Sequence, residues 1–508
     1  MLNQCRGLLA AAVAALSVCV EAAAQEPPAL PATPEQWRAA ALSDLEAARA
    51  ILSAQTPIPY DTINPAYPAW LEEGYARARS MAENAADFSG HYYALALYLN
   101  GFNDPHIRVN PAHDLPPPMW PGFIAASRDG GALIAMRDES DSAAPPLGAQ
   151  ILSCDGQSLA ALAEERLYPY VLNGRLALDR RRAVTRLFLD RSIPGAPAPT
   201  RCRIVVEGVE RDIDLRWRAL PEDTESYWSN YSIASSGPGA EWGVSEPAPG
   251  VFWVGVPTFA SGQDTAPHLA ELVDQIRDRA AQMRRGRAIV IDLRGNGGGN
   301  SQWADRIAAG IFGADVIRRA NAGGGNSVAI DWRASPENIA YWEDWIDSVG
   351  VPEFGAGSGP VRNIRRVITG LRGAADRDPP IWREGARNPS GGGGRTTQRP
   401  RDGRPPFAAR VYVLTNGTCG SSCLNFADTV LFVPGVQLIG SATSGDGPYM
   451  EVREADLPSG LARLTVPQKV WRGAPRGPLE AYAPDVAYDG AWDDASVRAW
   501  VMDLIAAQ

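Results

Sequence analysis

Ala288-Ile289-Val290-Ile291-Asp292-Leu293-Arg294-Gly295-Asn296-Gly297-Gly298-Gly299 runs from an apolar, β-branched stretch straight into glycine. A short apolar run closed in this way reads as a buried strand. Ser301 to Phe312 follows at helical spacing, so the whole is strand, glycine turn and helix. The same unit recurs on both sides. Val251 to Val256 precedes a helix from His268 to Met283, and Val411 to Leu414 precedes one from Ser422 to Phe432. Strands alternating with helices predict an α/β core with a largely parallel sheet over about 218–508. Within it, residues from about 355 to 406 are rich in Gly, Pro and Arg and read as a surface insertion.

Upstream the texture changes. Residues 117–217 carry short β-like runs: Phe123 to Ala126, Ala132 to Met136, Gly148 to Gln157 and Cys202 to Val206, with a helix from Leu159 to Tyr168. This segment resembles a PDZ domain, whose groove takes a peptide as an added strand. A small β-rich domain without a ligand is the alternative. From about 35 to 105 the apolar positions recur at helical spacing, as in Trp37, Ala41, Leu45, Ala48 and Leu52. Residues 25–116 thus form a leader and helical segment, ending in the turn Asn103-Asp104-Pro105-His106.

Composition narrows the function. The 508 residues exceed one core, and the net charge of -10 argues against nucleic acid and against a polybasic membrane contact. Arg6, the apolar run Gly7 to Val20 and Ala22 to Ala24 make a secretory signal over 1–24. That run is too short to span a bilayer, and no other is long enough. A lipoprotein site at Cys19 is disfavoured by the bulky Val18. The mature protein is therefore expected to be soluble, and periplasmic or extracellular. Four cysteines remain in an oxidising compartment, and Cys154 with Cys202 is the favoured pair because both fall in the β-rich domain. For Cys419 and Cys423, four residues apart, a bond and two packed thiols stand equal. Cysteines and histidines show no metal-ligand spacing, and no cofactor is implied.

Two turns carry chemistry. The glycines after Asp292 lack a P-loop lysine and a dinucleotide spacing, but can bring bare N–H groups to a ligand oxygen. The second turn is Thr415-Asn416-Gly417-Thr418-Cys419-Gly420-Ser421-Ser422-Cys423. A serine at a strand-to-helix junction is an exposed nucleophile or, more ordinarily, a helix N-cap.

Together these turns, with Ile439-Gly440, Thr443-Ser444-Gly445 and Ala483-Pro484-Asp485-Val486, resemble the tail-specific, C-terminal processing peptidases and their tricorn-type relatives. The resemblance spans about 85–500. It implies a crotonase- and Clp-protease-like α/β core, an inserted PDZ-like domain and an N-terminal helical segment. Ser421 is then the nucleophile, and the N–H groups of Gly298 and Ser422 are the oxyanion donors. The processing branch uses a lysine base, but Asp446 stands at its place and Lys469, the only lysine, lies in another motif. The tricorn-type branch instead uses a histidine ahead of the PDZ domain, which puts His106 forward as base, with Pro105 where that branch has glycine. Glu480 matches the branch's orienting glutamate; the serine relay has no counterpart, and Asp104 can stand in. His91, His113 and His268 read as structural.

The expectation is an exported serine endopeptidase or processing peptidase acting on peptides or unfolded proteins, with the PDZ-like groove as the place to hold them. An inactive peptide-binding protein of the same fold is the alternative, and a crotonase-like acyl-CoA enzyme is disfavoured by the signal peptide. The oligomeric state is not readable.

Overall fold

The computed structural model describes residues 29–128, 131–323, 329–385, 403–473 and 476–507. The signal segment and the Gly391 to Gly394 run lie outside them. Five parallel strands form the heart of the core, in the order Val251–Gly255, Ala288–Asp292, Arg410–Thr415, Val436–Gly440 and Val486–Ala487. Gly243–Ala248 closes one edge antiparallel. Side chains alternate between the faces because the strand period is two. Phe252, Val254, Ile289, Ile291, Val411 and Val413 pack with helices Ala266–Arg285, Ser301–Phe312 and Ser422–Val430. Val251, Trp253, Val290, Tyr412 and Leu414 meet the C-terminal helix Asp494–Ala506 on the other face. Both faces are covered, as a parallel sheet requires.

A second, antiparallel sheet joins chain segments far apart in sequence. Ala462–Arg472 lies at its centre, beside Val109–Pro111, Ala329–Arg333 and Tyr449–Asp456, with Ile381–Gly385 outermost. Helices Pro34–Gln55, Ala66–Ala82 and Phe88–Asn100 pack on it through Leu45, Leu71, Tyr93, Leu464, Val466 and Val470. The Gly-, Pro- and Arg-rich segment expected over about 355–406 begins with regular structure. Gly359–Arg372 is a helix that buries Val361, Val367, Ile368 and Leu371, and Ile381–Gly385 is a strand. Its arginines mask four apolar positions at helical spacing, and those four supply the packing.

Between helical segment and core, Phe123–Arg128, Gly131–Arg137, Gln150–Cys154, Arg201–Val206 and Val209–Asp214 make an antiparallel sheet backed by helices Leu159–Arg166 and Ala177–Arg186. Cys154 is bonded to Cys202 on the neighbouring strand, and Cys419 to Cys423. Helix Thr224–Ser236 packs against both strand Phe123–Arg128 and helix Ala177–Arg186, with Tyr227 beside Trp120 and Ile124. Among the described residues no helix is long and apolar enough to cross a membrane.

Candidate active site

The register of the parallel sheet sets the two glycine turns side by side. Asp292 pairs with Leu414, so both turns leave the carboxyl ends of adjacent strands. That end is where open α/β sheets place their ligands. Leu293 N–H donates to Leu414 O at 2.9 Å, and Gly295 N–H to Asn416 Oδ1 at 3.2 Å. Asn416 also accepts from Thr418 Oγ1 (2.6 Å) and donates to Ser236 O (2.8 Å). It is therefore a buried knot between the turns and the end of helix Thr224–Ser236. Arg181, from the β-rich domain, donates to Asn416 O. The first turn is braced by Arg294, whose buried guanidinium bonds Asp292 (2.7 Å) and Asp494 (2.8 Å). These supporting roles of Asn416 and Arg294 were not assigned from sequence, since their partners come from remote segments.

Ser421 stands at φ 48°, ψ -124°, immediately before helix Ser422–Val430, and its side chain does not cap that helix. A non-glycine residue with φ above zero is strained, and such strain concentrates at functional turns. The N-cap reading is thereby set aside, and Oγ stays free of the helix. Ser422 N–H belongs to the first turn of that helix, whose amides lack intrahelical acceptors, at the positive end of the dipole. Ser422 Oγ donates to Gly299 O, tying the serine helix to the glycine turn. A Cβ on Gly298 (φ 109°) would lie 2.8 Å from Ser421 Cβ and 2.9 Å from Ser422 N. Only glycine lets the two turns approach this closely. The Gly298 N–H itself donates to Asn296 Oδ1 at 3.0 Å.

His106 is fixed from both sides of the chain. Arg108 N–H donates to Thr465 Oγ1 (2.8 Å), and the strand that follows pairs Val109 with Leu464. Asp104 Oδ1 accepts from His106 N–H at 2.9 Å and lies 3.1 Å from Nδ1. Asp446 Oδ1 lies 3.6 Å from the same nitrogen. Burial pulls the imidazole pKa down, but the hydrogen bond and charge of Asp104, then the charge of Asp446, leave it above the ordinary histidine value. Burial raises the Asp446 carboxyl, and the neighbouring Asp104 adds to this against the pull of His106.

The loop after strand Val436–Gly440 joins the two halves. Ser444 N–H donates to Cys419 O at 3.0 Å, while Asp446, two residues on, faces His106. Three residues span at most about 11 Å, which bounds how far the imidazole's neighbour stands from the serine turn. Glu480 is not brought to His106. Its Oε2 accepts from Gly477 N–H at 2.7 Å, in the turn whose Leu479 N–H holds Asp446 O at 2.8 Å. The carboxylate on the imidazole is that of Asp104, the stand-in. Behind Asp446 lies an 80 Å³ cavity lined by Asn425, Asp428, Met450, Trp471 and Arg476. Of the other histidines, His91 is fully buried and bonds Asp44 at 2.8 Å, His113 meets the Phe88 ring edge-on, and His268 stacks on Trp242. No group of metal-ligating side chains occurs among the described residues.

Residues 251–486 match the model of peptidase family S41. No curated protein matches the chain. Among solved structures, mature CPAF is 15% identical at a TM-score of 0.60, covering 93% of this chain and 98% of its own. The complex of mature CPAF with lactacystin gives 16%, 0.59, 93% and 99%. At such identities the likeness speaks for the fold, which the chain shares over nearly its whole length. The match runs from the first parallel strand to the last, so residues 251–486 form a family S41 domain and the protein is a serine-type peptidase.

Proposed function

We propose that the protein is an exported endopeptidase or processing peptidase that cleaves through an acyl-enzyme on Ser421, with His106 as general base. What supports this reading is a strained, uncapped Ser421, a histidine held by a buried carboxylate, and one short loop that bonds the serine turn through Ser444 and faces the histidine with Asp446. In the reaction His106 takes the Ser421 hydroxyl proton as Oγ attacks the carbonyl carbon, then gives it to the leaving amine. Ser422 N–H is ready for the developing oxyanion. Gly298 N–H joins it when the bond to Asn296 yields, and apo geometry commonly tightens only on binding. Asp104 holds the tautomer with the proton on Nδ1. Glu480 acts at one remove, by holding the turn that fixes Asp446.

Two bonded cysteine pairs support an oxidising compartment, in line with the signal segment. The β-rich domain is read as PDZ-like from its sequence, but helix Thr224–Ser236 lies against strand Phe123–Arg128 and helix Ala177–Arg186, the elements that would flank a peptide groove. The 830 Å³ cleft lined by Arg128, Leu133, Arg181, Tyr488 and Trp492 is the better seat for an extended substrate chain. Incubation of mature protein with reduced, unfolded casein tests the reading. Cleavage by wild type and its loss in Ser421→Ala and His106→Ala supports it. Capture of casein without cleavage by wild type favours the inactive peptide-binding protein instead.

A further inference from the structure

The residue that replaces the lysine of the processing branch has a chemical environment of its own. Asp446 is 3% exposed at the side chain, its Oδ1 lies 3.6 Å from His106 Nδ1, and its Oδ2 has no hydrogen-bond partner among the described residues. A buried carboxyl without a second partner is costly to keep unless its charge state is used. We propose that Asp446 is a second positioning carboxylate for His106, which steadies the imidazolium formed when Ser421 gives up its proton. This rests on His106 being the base.

The charged and titratable groups around the imidazole are few. Asp104 and Arg108 come from its own segment and Asp446 from the loop after Val436–Gly440, while Tyr67, from helix Ala66–Ala82, stands near both carboxylates. Arg476 acts on Asp446 from the far side, although its own bonds go to Asp428. Asp104 takes the Nδ1 proton at 3.1 Å, so Asp446 works by charge rather than by a shared bond. The coupling runs both ways: imidazolium favours ionised Asp446, and ionised Asp446 favours imidazolium. When the proton moves from Ser421 Oγ to His106 Nε2, the new positive charge lies between two carboxylates. Gly447 is part of the device, since a Cβ there would fall 1.8 Å from Asp104 Oδ2. The loop thus brings Asp446 in without displacing Asp104.

The test is the rate of fluorophosphonate labelling against pH for wild type, Asp446→Asn and His106→Ala. Removing a charge at this distance is expected to move the midpoint of the Asp446→Asn profile down by about one pH unit. The plateau rate should fall about tenfold, the equivalent of one unit of lost imidazolium stabilisation. Asp446→Ser, which empties the site rather than filling it with an amide, should shift the midpoint the same way. A lower plateau with an unmoved midpoint in both variants would mean that Asp446 only shapes the loop, and overturns the proposal. Labelling of His106→Ala at the wild-type rate would instead remove the base on which the proposal rests.

Discussion

Asp104 holds His106 twice, accepting its backbone N–H at 2.9 Å and lying 3.1 Å from Nδ1 with the same oxygen. Its other oxygen accepts Tyr449 N–H at 3.2 Å, so the carboxylate is itself tied to the antiparallel sheet. One side chain therefore sets the orientation and the seat of the imidazole. In the proposed mechanism its role is that of the orienting aspartate of other serine peptidases, reached here from the preceding turn.

Asp104→Asn should lower labelling of Ser421 by about 10⁴-fold at neutral pH, the scale on which losing an orienting carboxylate acts. The fold should survive, although the amide keeps one acceptor oxygen and so loses one of the two backbone bonds, from His106 N–H or from Tyr449 N–H. Rates within tenfold of wild type, in a protein with unchanged circular dichroism, would show that another group orients His106.

The pH dependence follows from the sign of the His106 shift. Its pKa in the folded protein stands above the ordinary histidine value, because the two carboxylates outweigh burial. Only the neutral imidazole can accept the serine proton, so labelling should rise with pH through a midpoint above about 6.5. The same shift stabilises the fold fully below the ordinary histidine pKa and is lost as pH rises through the folded value. Activity and this part of the stability thus run in opposite directions across one window. Labelling rates and melting temperatures measured across that window check both limbs.

Gly447→Ala should silence the site with little change in the core. The new methyl would overlap the Asp104 carboxylate at 1.8 Å, and Asp104 has no space to retreat, being fully buried at the side chain. A fall in kcat of two orders of magnitude or more, on the order of a misplaced catalytic group, is expected. A crystal structure of the variant with Asp104 still on His106 would contradict the argument.

Arg472 ties the helical segment to the antiparallel sheet. Its guanidinium, 4% exposed, reaches Asp61 at 2.8 Å and Asp331 at 2.9 Å. Burial raises both carboxyls, but Arg472, with Tyr449 and Asn64 at Asp61 and Arg383 at Asp331, brings both below the usual range. Their contribution is present above the unfolded carboxylate pKa and lost as pH falls through the folded one. Arg472→Met leaves Asp61 buried without its cation and should cost about 3–5 kcal/mol in urea unfolding at neutral pH. The deficit should shrink in acid. A loss below 1 kcal/mol would mean that the cluster is replaceable.

What the sequence revealed and what it hid divide along contact range. The parallel sheet was legible because each strand carries its own apolar run, its turn and its helix, as at Ala288–Asp292 and Ser301–Phe312. The turn that carries Ser421 was legible for the same reason: it lies within one such unit. The antiparallel sheet was not, since Ala329–Arg333, Tyr449–Asp456 and Ala462–Arg472 come from different parts of the chain and pair only in the fold. The helix Gly359–Arg372 was hidden by composition, its apolar stripe diluted by arginine and glycine. Glu480 was placed by motif alone, and the geometry gives the carboxylate at His106 to Asp104, a nearer residue that motif spacing ranked second. Asp446 was noticed only as a missing lysine. Its contact with His106 depends on folding together segments that no local pattern connects.

The proposed mechanism stands or falls on activation of Ser421 by His106. Labelling of the mature protein with a fluorophosphonate, followed by peptide mapping, tests it directly beside Ser421→Ala and His106→Ala. Expected are a single adduct on Ser421 in wild type, none in Ser421→Ala, and labelling of His106→Ala slowed by at least about 10²-fold, the contribution of a positioned base. A folded wild type that stays unlabelled, or a His106→Ala that labels as fast as wild type, would contradict it.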